Sequence, residues 1–211
     1  MKKKITIVDY GLGNLVSAKQ SFTKIIENNN FKYDIVISED PTDIKNSTHI
    51  VLPGQGAFKS CITGLKNIPG MVEALEESVI KNKTPFLGIC VGMQLLADIG
   101  YENGEHQGLG WIKGSVKKLE VKKLKLPHMG WNNVKIVNNS LNMSFNQENK
   151  DFYFVHSYYF DCFDKQNIIG ETEYGLNFPS IVGKENIYGV QFHPEKSSDQ
   201  GLQLIKDFLL L

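Results

Sequence analysis

The segment Pro85-Phe86-Leu87-Gly88-Ile89-Cys90-Val91-Gly92 constrains this chain more than any other. Pro85 to Ile89 is a short apolar run of strand character that runs straight into Cys90, and the residues after it, Val91 to Ile99, carry apolar side chains at helical spacing. Strand, G-x-C-x-G turn and helix in that order describe a sharp elbow at the edge of a sheet. The central residue is held in a strained conformation there, and the flanking glycines make room for the backbone. The sulfur then projects at the mouth of the sheet. The unpaired N–H groups and positive dipole end of a helix N-terminus favour thiolate over thiol. The N–H of Val91 points where a tetrahedral oxyanion would form, and one such donor is worth roughly 3–4 kcal/mol. The bland alternative is a buried structural cysteine in a glycine-containing turn.

The remainder of the chain supplies a sheet for that elbow. Ile5 to Val8 is a β-branched run followed by Asp9-Tyr10-Gly11-Leu12-Gly13-Asn14 and a helix expected over Leu15 to Glu27, the opening of a βαβ unit. Strands are expected at Asp34 to Ser38 and at His49 to Leu52, the latter stopped by Pro53-Gly54-Gln55-Gly56, and a helix at Val72 to Lys81. Beyond residue 110 the pattern turns strand-rich. Val116 to Val121, Asn133 to Asn138, Asp151 to Phe160, Ile168 to Glu173, Ser180 to Val182 and Ile187 to Phe192 all read as strands, before a leucine-packed helix from Asp199. The expected fold class is α/β, with a mixed, mainly parallel central sheet flanked by helices. At 211 residues, with no repeat or long linker, one domain spanning 1–211 is expected.

Lys plus Arg and Asp plus Glu both number 23, so the balance gives no electrostatic reason to expect nucleic acid or a membrane surface as partner. The Met-Lys-Lys-Lys lead is followed by too few apolar residues for a secretory signal, and no stretch nears the roughly 20 needed to span a bilayer. Three cysteines, Cys61, Cys90 and Cys162, make no disulfide framework, which suits a reduced cytoplasm. No cofactor or metal is expected. The lysine-rich stretch Lys117 to Lys125 reads as a solvated strand face.

A cysteine nucleophile needs a base and a group to orient that base. Of five histidines, His49 begins an apolar strand, His106 lies in a polar loop, and His128 and His156 could line a site. His193 stands apart because it follows the strong strand Ile187 to Phe192 and precedes Pro194-Glu195. A parallel sheet presents its site at strand ends. A carboxylate two residues on can turn back to hold the imidazole tautomer.

Gly88-Ile89-Cys90-Val91-Gly92-Met93-Gln94 together with Gly189-Val190-Gln191-Phe192-His193-Pro194-Glu195 resembles the class I, or triad, glutamine amidotransferases. Five further segments resemble the branch of that family that forms the glutaminase subunit of imidazole glycerol phosphate synthase: Asp9 to Leu15, Pro53 to Phe58, Pro127 to Asn132, Tyr153 to Tyr159 and Thr172 to Gly175. The resemblance implies that Cys90 attacks the side-chain amide of glutamine, His193 shuttles a proton to departing ammonia, and Glu195 orients His193. It implies glutamine contacts at Gln94 and Glu102, and from the backbone at Gly54, Gly56, Ser157 and Tyr158. Oxyanion donors would come from Val91 and from Gln55, whose strand must reorient before hydrolysis becomes fast. The partner implied is a (β/α)8 cyclase subunit in a heterodimer that uses the ammonia to form imidazole glycerol phosphate and AICAR in histidine biosynthesis. The turn Asp9 to Leu15, Gln55 to Phe58 and His128 to Trp131 would lie near that partner.

Two positions depart from the family pattern: Gln55 stands where an apolar residue, commonly valine, is usual, and Lys113 where proline is frequent. Relatives that supply ammonia to sugar-amidating enzymes of surface polysaccharide pathways offer an alternative acceptor. Readings of other classes are a non-catalytic binding module and a stand-alone cysteine hydrolase such as a γ-glutamyl peptidase.

Overall fold

A computed structural model describes residues 3–138 and 150–211, so Met1 and Lys2 of the lysine-rich lead lie outside the described residues. Nine strands form one sheet in the order β2 (Tyr33–Ser38), β1 (Lys3–Val8), β3 (His49–Gly54), β4 (Phe86–Cys90), β13 (Ile187–Val190), β12 (Asn177–Lys184), β11 (Ile168–Glu173), β8 (His128–Ile136), β9 (Lys150–His156). From β2 to β13 every pairing is parallel, and from β13 to β9 every pairing is antiparallel. A small second sheet runs β10 (Tyr158–Cys162), β7 (Gly114–Lys118), β5 (Ile99–Gly100), β6 (His106–Gln107). The α/β class and the mixed central sheet are as the sequence implies.

The two halves of the large sheet carry different sequence patterns for a physical reason. Strands β3, β4 and β13 are buried at every position, as strands covered on both faces must be. Helices α1 (Leu15–Asn28) and α6 (Ser198–Leu209) lie together on the parallel half, with Phe22 meeting Phe208 edge-on at 6.3 Å. Strand β9 alternates instead, burying Phe152, Phe154 and His156 on one face. No helix among the described residues is long and apolar enough to cross a membrane.

Three expected elements come out differently. Asp151 to Phe160 is two strands: the chain leaves the large sheet after His156 and enters the small one at Tyr158. The helix after Cys90 is only α5 (Val91–Gln94), because the segment Gly108 to Ile112 takes over the carbonyls that a longer helix would use. Leu109 N–H donates to Leu95, Gly110 N–H to Ala97, and Trp111 and Ile112 N–H to Leu96. Val72 to Lys81 divides into α4 (Met71–Leu75) and a π-helical turn, Glu76–Lys81, in which Asn82 N–H reaches Glu77 O. Helices α2 (Pro41–Lys45) and α3 (Phe58–Asn67) are not among the expected elements, although Asp40-Pro41 is a helix-start signal and Phe58, Cys61, Ile62 and Leu65 stand at helical spacing.

Candidate active site

The strand order decides what meets what. β3, β4 and β13 lie side by side and parallel, so Gly54, Cys90 and the chain leaving Val190 all emerge at the same carboxyl edge. Gly54 is the register partner of Cys90. The elbow itself is sterically enforced. Cys90 adopts φ 55°, ψ −110°, a conformation outside the ordinary wells that costs on the order of 1–3 kcal/mol and persists only where the surroundings dictate it. Those surroundings are visible at its neighbours: a Cβ on Gly92 would sit 1.8 Å from the Leu52 carbonyl oxygen, and one on Gly88 would sit 2.5 Å from the carbonyl oxygen of Gly92. Both glycines are demanded by backbone touching backbone.

His193 follows β13 and is pinned at both backbone groups, its N–H donating to Tyr153 O at 2.9 Å and its carbonyl accepting from Ser197 Oγ at 2.6 Å. Its Nδ1 is 2.8 Å from Glu195 Oε1, with the two side chains 6% and 3% exposed. Nε2, left without a hydrogen bond of ordinary geometry, faces the sulfur of Cys90 closely enough for the two charges to couple. Burial works against a charged imidazole here. The Cys90 sulfur and the Glu195 carboxylate outweigh it and push His193 up to about 10. Burial, first among the causes, pushes the Cys61 and Cys162 thiols up to about 11.

A cavity of about 250 Å³ opens over the sulfur. Gln55, Gly56, Val91, Gln94, Glu102, Ser157 and Tyr158 all line it with Cys90 and His193. Gly54 does not; it packs beneath, where an added Cβ would come within 2.6 Å of Gly92 N. Glu195 stands behind His193, outside the cavity. One oxygen of Glu102 is already used, accepting the Phe58 N–H at 2.7 Å and so capping α3. Gln94 has committed both hydrogens of its amide, to Tyr158 O and to Gln191 Oε1, each at 3.0 Å. Only its Oε1 remains, so Gln94 can meet a substrate solely as an acceptor, a partner for an ammonium group. A larger hollow of about 550 Å³ beside Pro85, Asn186 and Tyr188 lies at the opposite edge of the sheet, where these strands begin.

The residue that sequence reasoning passed over is Gln191. Its Nε2 donates to Cys90 Sγ at 3.7 Å, a second source of positive potential on the sulfur. The available signal was an amide in the otherwise apolar run Ile187 to Phe192, and the structure buries it fully. Tyr10 was also passed over; its hydroxyl donates to Pro53 O at 2.8 Å and holds the strand that precedes Gln55. The two departures can be placed as well. Gln55 is exposed, and its carbonyl accepts from Cys61 Sγ at 3.5 Å. Lys113 forms an exposed ion pair with Asp98 at 2.7 Å and does not line the cavity.

The model of the class I glutamine amidotransferase family matches residues 7–211. The chain belongs to that family. This amidotransferase is 47% identical over 209 residues to the imidazole glycerol phosphate synthase subunit HisH of Pelagibacter ubique, a match covering 98% of the chain and 99% of that relative. It is 46% identical over 207 residues to the subunit HisH 2 of Methanococcus maripaludis, covering 97% and 98% of the two chains. Among solved structures, a glutamine amidotransferase superposes with a TM-score of 0.73 at 15% identity over 97% of both chains. Another glutamine amidotransferase, from Thermotoga maritima, gives 0.64 at 19% identity, over 92% of this chain and 77% of that one. At such identities the two structures speak for the fold.

Proposed function

We infer that this chain is the glutaminase subunit of an imidazole glycerol phosphate synthase, hydrolysing glutamine to glutamate and ammonia through a thioester on Cys90. The observation that carries the chemistry is the buried row Glu195–His193–Cys90 at one sheet edge, with a glutamine-sized cavity over the sulfur.

On this reading the reaction runs as follows. The Cys90 thiolate adds to the side-chain carbonyl carbon of glutamine, and the oxygen that gains charge meets the N–H of Val91, the first residue of α5. The Gln55 N–H supplies the second donor once its strand has reoriented. The carbon–nitrogen bond breaks as the His193 imidazolium gives its proton to the departing ammonia. The neutral imidazole then takes a proton from water, whose hydroxide adds to the thioester carbon. Collapse releases glutamate, whose new carboxyl gives its proton to solvent, and restores the thiolate and imidazolium. Glu195 fixes the Nδ1–H tautomer and stabilises the charged ring without accepting its proton.

The partner is a (β/α)8 cyclase subunit that consumes the ammonia. Supporting this are the names of the relatives and two large apolar side chains that the fold leaves in water on β8, Met129 at 61% and Trp131 at 55% exposure. The test is glutamate release with and without a cognate cyclase and its substrate. Slow turnover alone and strong stimulation in the complex are expected, with Cys90→Ser abolishing hydrolysis while ammonia-dependent synthesis by the partner persists. Substantial glutaminase activity in Cys90→Ser would refute the nucleophile. Stimulation only by a sugar-amidating enzyme would move the chain to another pathway.

A further inference from the structure

Two buried histidines outside the triad, His128 and His156, hold each other across the pair β8–β9. They are register partners, and His128 Nδ1 lies 3.0 Å from His156 Nε2. The direction of every hydrogen bond around them can be worked out. Tyr158 O only accepts, so His156 Nδ1, 2.8 Å away, carries the hydrogen. Burial first of all holds His156 down at about 3 and His128 down at about 4, so both rings are neutral. His156 Nε2 is therefore bare and accepts from His128 Nδ1–H. His128 Nε2 is then bare in turn and accepts from Asn132 Nδ2 at 3.2 Å. That amide gives its other hydrogen to Glu173 O at 2.9 Å, another group that only accepts.

The hydrogen-bond network continues on the far side of Tyr158. Its carbonyl also accepts from Gln94 Nε2, which donates to Gln191 Oε1, which leaves Gln191 Nε2 facing the Cys90 sulfur. Each link has a single allowed direction, so a change at one end cannot be absorbed by flipping a ring or an amide. The His128 ring is also clamped, stacked between Tyr174 at 4.0 Å and Phe154 at 4.8 Å, both at 23°. At its outer end the chain reaches Asn132, next to the exposed Trp131.

Resting on the glutaminase reading above, we propose that His128 and His156 are positioning residues. They fix the Tyr158 carbonyl and through it Gln94, so that Gln94 Oε1 stays aimed into the cavity as the acceptor for the α-ammonium of glutamine. Neither ring touches the reacting atoms. Their contribution is to the binding of glutamine more than to the chemical steps.

The test is the kinetics of glutamine hydrolysis by the full chain assembled with its cyclase. His128→Phe keeps the stack between Tyr174 and Phe154 and deletes both hydrogen bonds, leaving His156 Nε2 a bare acceptor. It should raise KM for glutamine about tenfold, the effect of one unmet buried partner, while kcat changes by less than about threefold. Ammonia-dependent synthesis, which bypasses the cavity, should be unaltered and so reports intact folding and docking. Asn132→Leu, at a half-buried site, removes only the outermost donor and should raise KM by about threefold. Nitrogen-15 spectra should show His156 protonated at Nδ1 and bare at Nε2. An unchanged KM in a folded His128→Phe chain, or the reverse His156 tautomer, overturns the proposal. Should His128→Phe not fold, an unchanged KM in Asn132→Leu does the same. A parent complex that hydrolyses no glutamine would instead sink the underlying glutaminase reading, and this proposal with it.

Discussion

Replacing Glu195 by glutamine keeps the shape of the side chain and deletes one buried charge. In the native chain, burial depresses His193, while the Cys90 sulfur and the Glu195 carboxylate together lift it to about 10. The carboxylate contact is 2.8 Å long and nearly dry, the setting in which an opposite charge moves a titration by about one to three units. Glu195→Gln should therefore bring the alkaline limb of kcat/KM down by about two pH units. The sign also fixes a stability change. A histidine raised above its ordinary 6.5 stabilises the fold fully below that pH, and the contribution is lost as pH rises through about 10. The variant should thus lose stability relative to the native chain at pH 6, and the gap should close toward pH 10. The rate at the optimum should fall about 10²- to 10⁴-fold, since the Nδ1–H tautomer is no longer enforced. The assays are a pH–rate profile of the assembled enzyme from pH 6 to about 10.5 and thermal unfolding over the same range. An alkaline limb that stays in place would refute the assignment of Glu195 as the charge behind His193.

Gly92→Ala forces a methyl into backbone 1.8 Å away and should lower Tm by roughly 6–12 °C, taking about 3 kcal/mol of overpacking and the usual conversion for a domain of this size; calorimetry decides. Brief iodoacetamide treatment at pH 7.5 should label Cys90 alone, because burial holds Cys61 and Cys162 at about 11; peptide mapping that finds either of those labelled first would contradict it. Lys113→Ala removes an ion pair whose lysine is 72% exposed and should change stability by less than about 1 kcal/mol, with hydrolysis unaffected.

The elbow was legible because its demands are local: a strand, two glycines and a cysteine in sequence leave few conformations open. His193 and Glu195 were legible only beside the elbow, because His-Pro-Glu at a strand end alone looks like a helix N-terminus with an acidic first turn. What escaped depended on distant backbone. Nothing within Val91 to Ile99 says that Gly108 to Ile112 will occupy its carbonyls, and a Cβ on Gly108 would sit 2.2 Å from Ala97 O. Nothing within Asp151 to Phe160 says that the strand changes sheets at Ser157, since alternation continues on both sides of the break. Helix α3 shows its spacing in Phe58, Cys61, Ile62 and Leu65, but its start does not, because its N-cap, Ala57, offers no capping side chain and the partner is Glu102, far along the chain. Gln191 reads as a strand residue until the sheet sets it against Gln94 and the sulfur.

The position of β13 has a consequence for how this enzyme comes into being. It is the last strand of this sheet in chain order, yet it belongs in the middle of it, between β4 and β12. Without it the Cys90 thiol has no His193 beside it, and the sheet is open between β4 and β12. The strand that closes this seam is also the one that leads to His193, so completing the sheet and assembling the triad are one structural step.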